Sequence, residues 1–265
     1  MVSNFDSESM LDRDRGAERD VYIVRTGSAN LASVAAALSR IGARPILTSD
    51  PADILLADRL VLPGVGSFGA AMSELTQRGL VSVLRERLAV GRSTLGICLG
   101  LQLLARGSEE SPRVAGLSII DAVVRRLPTG PGLRVPQMGW NLTTPRQACR
   151  TLTGGFAYFA NSFALPEIPR GWRGSTFAHG ESNPLAAIEQ GDGDRLVVAT
   201  QFHPELSGRW GLDLIRRWVI GRPALDAPDG AESDSDAERV QRGNRSARDP
   251  SLVTASIDES GAPRC

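Results

Sequence analysis

Apolar residues recur along this chain with two different periods. Val21-Tyr22-Ile23-Val24 is a short unbroken apolar run, as a buried strand carries. It leads into Asn30–Ile41, where Leu31, Val34, Ala35 and Leu38 return at helical spacing. Arg44–Leu47 and Leu60–Leu62 read as the second and third strands, and Gly69–Arg78 and Leu80–Ala89 as helices. Thr94–Ile97 is a fourth strand, running directly through Cys98 into a helix predicted over Leu99–Arg106. This alternation predicts an α/β fold: a mainly parallel central sheet flanked by helices. Beyond residue 115 the runs shorten and are broken by Pro and Gly. Strands predicted at Ala122–Arg126, Gly155–Phe159, Arg173–Ala178, Ala186–Gln190 and Leu196–Thr200 fit as antiparallel additions to that sheet. A last helix, Gly208–Ile220, carries Leu212, Ile215 and Val219 at helical spacing.

Composition changes at both ends. Residues 1–19 are charged and serine-rich, and residues 221–265 mix Asp, Glu, Arg, Ser, Gly and Pro without an aromatic residue. Such segments bury too little apolar surface to offset their ordering entropy. The expectation is one folded domain over residues 20–220 between two disordered tails. The chain is 42% hydrophobic and 23% charged with zero formal net charge, which supports a sizeable core and gives no electrostatic footprint for nucleic acid or an anionic membrane. No apolar run approaches the ~18–20 residues of a membrane span, and the polar N-terminus lacks the order of a secretory signal. Cys98, Cys149 and Cys265 form neither a disulfide framework nor a metal motif, which points to a reducing cytoplasm. No cofactor or metal is implied. All thirty basic residues are arginines, so no lysine can form a Schiff base.

Candidate chemistry begins at Gly96-Ile97-Cys98-Leu99-Gly100, at the junction between a buried strand and a helix. A nucleophile there is presented above the strand ends, flanking glycines permit the sharp turn, and a helix N-terminus favours the thiolate. A lone motif of this kind reads equally as a buried structural cysteine. The base must come from His179 or His203, the chain's two histidines. His203 lies in Gln201-Phe202-His203-Pro204-Glu205 after a predicted strand, and residues two apart on an extended chain share a face, so Glu205 can orient the imidazole. His179, beside Gly180 and Glu181, reads as an exposed loop residue. Leu62-Pro63-Gly64-Val65-Gly66-Ser67-Phe68-Gly69 follows the third strand, where glycines let backbone N–H groups face a developing oxyanion. It lacks the Gly-Lys-Ser/Thr ending of a nucleotide loop.

These three motifs, in this order, resemble those of the class I (triad) glutamine amidotransferases over residues ~20–220. PGVGSFGAAM and Val135-Pro136-Gln137-Met138-Gly139-Trp140-Asn141 look like the glutaminase subunit of imidazole glycerol phosphate synthase. The resemblance implies that Cys98 attacks the glutamine carboxamide, His203 relays protons and Glu205 orients it. It implies an oxyanion hole near Gly64, Val65, Gly66 and Leu99, with Gln102 and Ser162 at the substrate. It also implies a heterodimer in which ammonia passes to a (β/α)8-barrel cyclase/synthase subunit during histidine biosynthesis. Four positions depart from the family pattern: Arg25-Thr26-Gly27 for Asp-Tyr-Gly, Gln137 for His, Asn161-Ser162-Phe163 for His-Ser-Tyr, and Leu206 for the Lys of His-Pro-Glu-Lys-Ser. They leave open a paralogue that supplies ammonia to another aminating synthase of sugar or secondary metabolism, and a non-catalytic regulatory subunit.

Overall fold

The computed structural model describes residues 19–26 and 30–220. The expected tails lie outside these residues, except Arg19, which joins the first strand. The elements run β1 (Arg19–Val24), α1 (Leu31–Arg40), β2 (Ala43–Thr48), α2 (Pro51–Leu56), β3 (Leu60–Leu62), α3 (Phe68–Gln77), α4 (Leu80–Ala89), β4 (Thr94–Ile97) and α5 (Leu99–Leu103). There follow β5 (Ala105–Ser108), β6 (Ile120–Arg126), β7 (Gln137–Pro145), β8 (Gly155–Asn161), β9 (Phe163–Ala164), β10 (Arg173–Phe177), β11 (Leu185–Gln190), β12 (Val197–Thr200) and α6 (Gly208–Ile220).

A nine-stranded sheet has the order β2-β1-β3-β4-β12-β11-β10-β7-β8. From β2 to β12 each pair is parallel, and from β12 to β8 each is antiparallel. The expected α/β fold is therefore present, with two corrections. The strand ending at Thr200 is no antiparallel addition to the first half: it pairs parallel with β4, Thr200 opposite Ile97, and antiparallel with β11. The strand expected near Ala122 is displaced too, since β6 joins a separate three-stranded sheet with β5 and β9.

Alternation along the central strands divides the core between the two faces. Val21, Ile23, Val61, Leu95 and Val198 pack with Val34 and Leu38 of α1 and Leu214, Ile215 and Trp218 of α6. Val24, Leu60, Leu62, Val197 and Ala199 pack with Ile54, Phe68, Met72, Leu75, Leu84 and Leu88 of α2, α3 and α4. Polar caps set where helices begin: Asn30 accepts from the Ser33 amide, Asp50 from that of Ala52 and Ser67 from that of Ala70. The six-residue α2, opened by Pro51, was not predicted, being too short to show a period.

Helix α5 is shorter than predicted. It ends at Leu103 because the following carbonyls serve another segment: Leu117 N–H donates to Leu103 O (2.8 Å), and the Ile119 and Ile120 amides both donate to Leu104 O (2.9 Å). Ala105–Ser108 then runs as a strand beside β6. Strand β7 was also not predicted. Its alternating Met138, Trp140 and Leu142 are exposed, so its apolar period marks an outward face.

Candidate active site

The ends of β3, β4 and β12 converge on one cleft at the carboxyl edge of the parallel half, where such sheets hold their sites. Cys98 stands between β4 and α5 with φ 52° and ψ −106°, a left-handed backbone that non-glycine residues seldom adopt and that lifts the side chain off the sheet. Its amide donates to Thr200 O at 2.7 Å, locking the turn to β12. The turn requires Gly100, because a Cβ there would lie 2.0 Å from Leu62 O. Gly64 allows the loop after β3 to reach the start of α5, since a Cβ would fall 2.5 Å from that of Leu99.

His203 follows β12, its amide donating to Tyr158 O and its carbonyl accepting from Ser207 Oγ. The ring Nδ1 meets Glu205 Oε1 at 2.8 Å, leaving Nε2 to act on the Cys98 thiol, which lines the same cleft. Burial alone would push the His203 pKa down, but the hydrogen bonds and charges of Cys98 and Glu205 raise it to about 10. The contact between His203 and Glu205 is the one expected, but its route differs. The segment is not extended: Pro204–Leu206 forms a 3-10 turn with proline at its start, and the turn folds Glu205 back onto the ring.

A cleft of about 320 Å³ opens beside this group, lined among others by Val65, Gly66, Cys98, Leu99, Gln102 and His203. Asn161, Ser162 and Glu110 line it too. Every expected site residue except Gly64 and Glu205 thus lines one cavity; Gly64 meets its wall through Leu99, and Glu205 reaches it through the His203 ring. Gln102 Nε2 donates to Phe163 O (3.0 Å) and Gln201 Oε1 (3.1 Å). The Leu99 amide, expected to face an oxyanion, points at Gly64 O at 3.4 Å. His179 is overturned as an exposed residue: it is buried, its ring Nε2 against Pro128 O at 2.9 Å, and it is not among the residues lining the cleft. Glu110 was missed. Its Oε2 accepts from the Phe68 amide at 2.6 Å, and nothing in its neighbourhood of the sequence signals the loop 42 residues away. Cys149 lies apart, its thiol pushed up to about 12 by burial and by the charge of Glu189.

The class I glutamine amidotransferase family model matches residues 25–220. The chain belongs to the class I glutamine amidotransferases. Among relatives of this amidotransferase, the imidazole glycerol phosphate synthase subunit HisH of Streptococcus gordonii is 41% identical, across 75% of this chain and 94% of the relative. The HisH subunit of Thermosynechococcus vestitus is 42% identical, across 75% and 95%, and that of Yersinia pseudotuberculosis 40%, across 76% and 98%. Two solved structures share the fold: a glutamine amidotransferase (TM-score 0.58, 21% identity, 76% of this chain and 98% of that one) and PurLQS from Thermotoga maritima (0.57, 16%, 77% and 98%). Among the described residues no helix of this amidotransferase is long and apolar enough to cross a membrane, and no group of three or more His, Cys, Asp or Glu could hold a metal ion.

Proposed function

We propose that this amidotransferase is the glutaminase subunit of an imidazole glycerol phosphate synthase, using Cys98, His203 and Glu205 as its triad. The observation that carries this reading is that Cys98 and His203 line one cleft while Glu205 is hydrogen-bonded to the His203 ring. Cys98 Sγ attacks the glutamine carboxamide carbon, the C–N bond breaks, and His203 delivers a proton to the departing nitrogen, giving ammonia and a γ-glutamyl thioester. Water then attacks the thioester with His203 as base, releasing glutamate and restoring the thiol. Glu205 fixes the ring so that Nε2 faces sulfur. Gln102 and Ser162 line the substrate's place, and Glu110 offers the carboxylate suited to its α-ammonium.

The Val65 and Leu99 amides are the oxyanion donors in this reading. In the present state Gly64 O occupies the Leu99 amide, so the hole forms only when the Gly64–Val65 peptide turns. Gly66, already at φ 98°, makes such a rotation inexpensive. The stimulus is a (β/α)8-barrel cyclase subunit, which receives the ammonia. Its docking face would be the exposed apolar patch of Met138, Trp140, Leu142, Phe156 and Leu206. Trp140 pairs with Tyr158 across β7 and β8, and Tyr158 O accepts from the His203 amide at 2.9 Å, so pressure on the patch reaches the site through that backbone bond.

The nucleophile is tested by glutamate release in the presence of the cyclase subunit. Cys98→Ala abolishes it while far-ultraviolet circular dichroism and complex formation persist. Cys149→Ala leaves it within about twofold, because that thiol is uncharged and remote from the cleft. Substantial turnover by Cys98→Ala would end the assignment.

A further inference from the structure

One polar side chain inside the site has no part in the triad. Gln201 is wholly buried, directly beyond β12. The parallel register that sets Thr200 opposite Ile97 brings Gln201 level with Cys98. Gln201 and His203 are two residues apart: Gln201 reaches the sulfur and His203 lines the cleft with Cys98, while Phe202 between them packs into the core. Gln201 Nε2 lies 3.6 Å from Cys98 Sγ, an ordinary donor distance for the larger sulfur atom.

The direction of that amide is dictated from outside. Phe163 O can only accept, and it receives both Gln102 Nε2 and Asn161 Nδ2 at 3.0 Å. Gln102 must therefore turn its NH2 group inward, and the same nitrogen donates to Gln201 Oε1 at 3.1 Å. With its oxygen so engaged, Gln201 can present only N–H to the sulfur. A series of fixed amides thus runs from a backbone carbonyl on the far wall to the nucleophile.

We propose that Gln201 is a further residue of the reaction, whose side-chain N–H stabilises the Cys98 sulfur while it carries negative charge, both before attack and as the thioester breaks down. The proposal rests on the reading of Cys98 as nucleophile. A hydrogen bond to a charged acceptor contributes roughly 1.5–3 kcal/mol, and sulfur, a weak acceptor, belongs at the lower end, which corresponds to about a tenfold effect on rate.

The test is Gln201→Met, which keeps length and burial but has no N–H, with Gln201→Glu as a second variant that keeps the acceptor for Gln102 and turns an anion toward sulfur. Iodoacetamide alkylation of Cys98, followed by peptide mass spectrometry, reads the sulfur without glutamine. Alkylation at pH 7 is expected to slow about tenfold in Gln201→Met and further in Gln201→Glu, the deficit shrinking as pH rises and the thiol ionises unaided. In glutamate release, kcat falls by a similar factor while KM for glutamine stays. A purely structural amide would lower the melting temperature and leave the pH dependence of alkylation as in the parent; that result overturns the proposal. Should Cys98→Ala retain turnover, the nucleophile assignment fails instead, and the alkylation profile still decides whether Gln201 acts on the sulfur.

Discussion

His203 is held between two groups that both favour its charged form, against the burial that opposes it. Its pKa lies above the ordinary 6.5, so the sign of the linkage follows: the protonated ring's bonds stabilise the fold in full below pH 6.5, and that gain fades as pH rises toward about 10. Glu205→Gln removes the anion but keeps the shape. The urea midpoint of the parent is expected to fall across this window, and the variant's to fall less. Glutamate release should drop by about 10⁴-fold, the scale seen when the carboxylate of a comparable triad is neutralised, with little change in KM. Equal turnover by the variant would remove Glu205 from the mechanism. The residues of the proposed triad stand out in the sequence at Cys98 and the His203-Pro204-Glu205 string because both are local patterns. Gln201 stood in the same string without a role, because its partner sulfur lies 103 residues away.

At the scale of elements, α2 and α4 are joined to the start of β4 by one buried cation. Arg87 is fully buried and donates to Ile54 O (3.0 Å), Ala57 O (2.7 Å) and Ser93 O (2.6 Å), with its Nε on Thr94 Oγ1 (3.1 Å). Ile54 O and Ala57 O belong to the end of α2, where helix carbonyls lack regular partners, while Ser93 O, which also accepts from the Leu60 amide, lies in the loop entering β4. Burial pushes the guanidinium down to about 10, so it stays charged at neutral pH. Arg87→Met fills the volume and strands the carbonyls. We expect a loss of about 3 kcal/mol, from the cost of leaving buried acceptors unpaired, read as a lower urea midpoint. Arg87→Lys should recover only part, because a single ammonium cannot span the same acceptors. A midpoint unchanged in Arg87→Met would show that water replaces the side chain at no cost.

For the whole molecule the issue is coupling. With Gly64 O on the Leu99 amide, the isolated chain should hydrolyse glutamine weakly. One missing oxyanion donor costs roughly 10²–10³ in rate, so binding of the true barrel subunit with its acceptor ligand should raise glutamate release about a hundredfold. Trp140→Ala should weaken complex formation and the stimulation together, as loss of a central aromatic anchor does. Leu206, 41% exposed where the family carries lysine, makes the patch more apolar than the family pattern predicts. If a histidine-pathway barrel fails to stimulate and another aminating synthase succeeds, the recipient of the ammonia is that synthase and the triad reading stands.

What the sequence by itself determined is what a few neighbouring residues can encode. Apart from the short α2, the alternation of strands and helices through Ala89, the glycines that let Cys98 turn, and the histidine paired with the acid two residues on were legible, because period and backbone sterics act over one or two turns of chain. Tertiary structure decided what depends on register between distant segments. It placed Val197–Thr200 at the seam between parallel and antiparallel halves, ended α5 early at carbonyls claimed by residues 117–120, and turned the apolar side of β7 outward. It also brought Glu110 to the cleft and Gln201 to the Cys98 sulfur. A slip of one residue in pairing reverses which side chains face the site, and no local pattern carries that register.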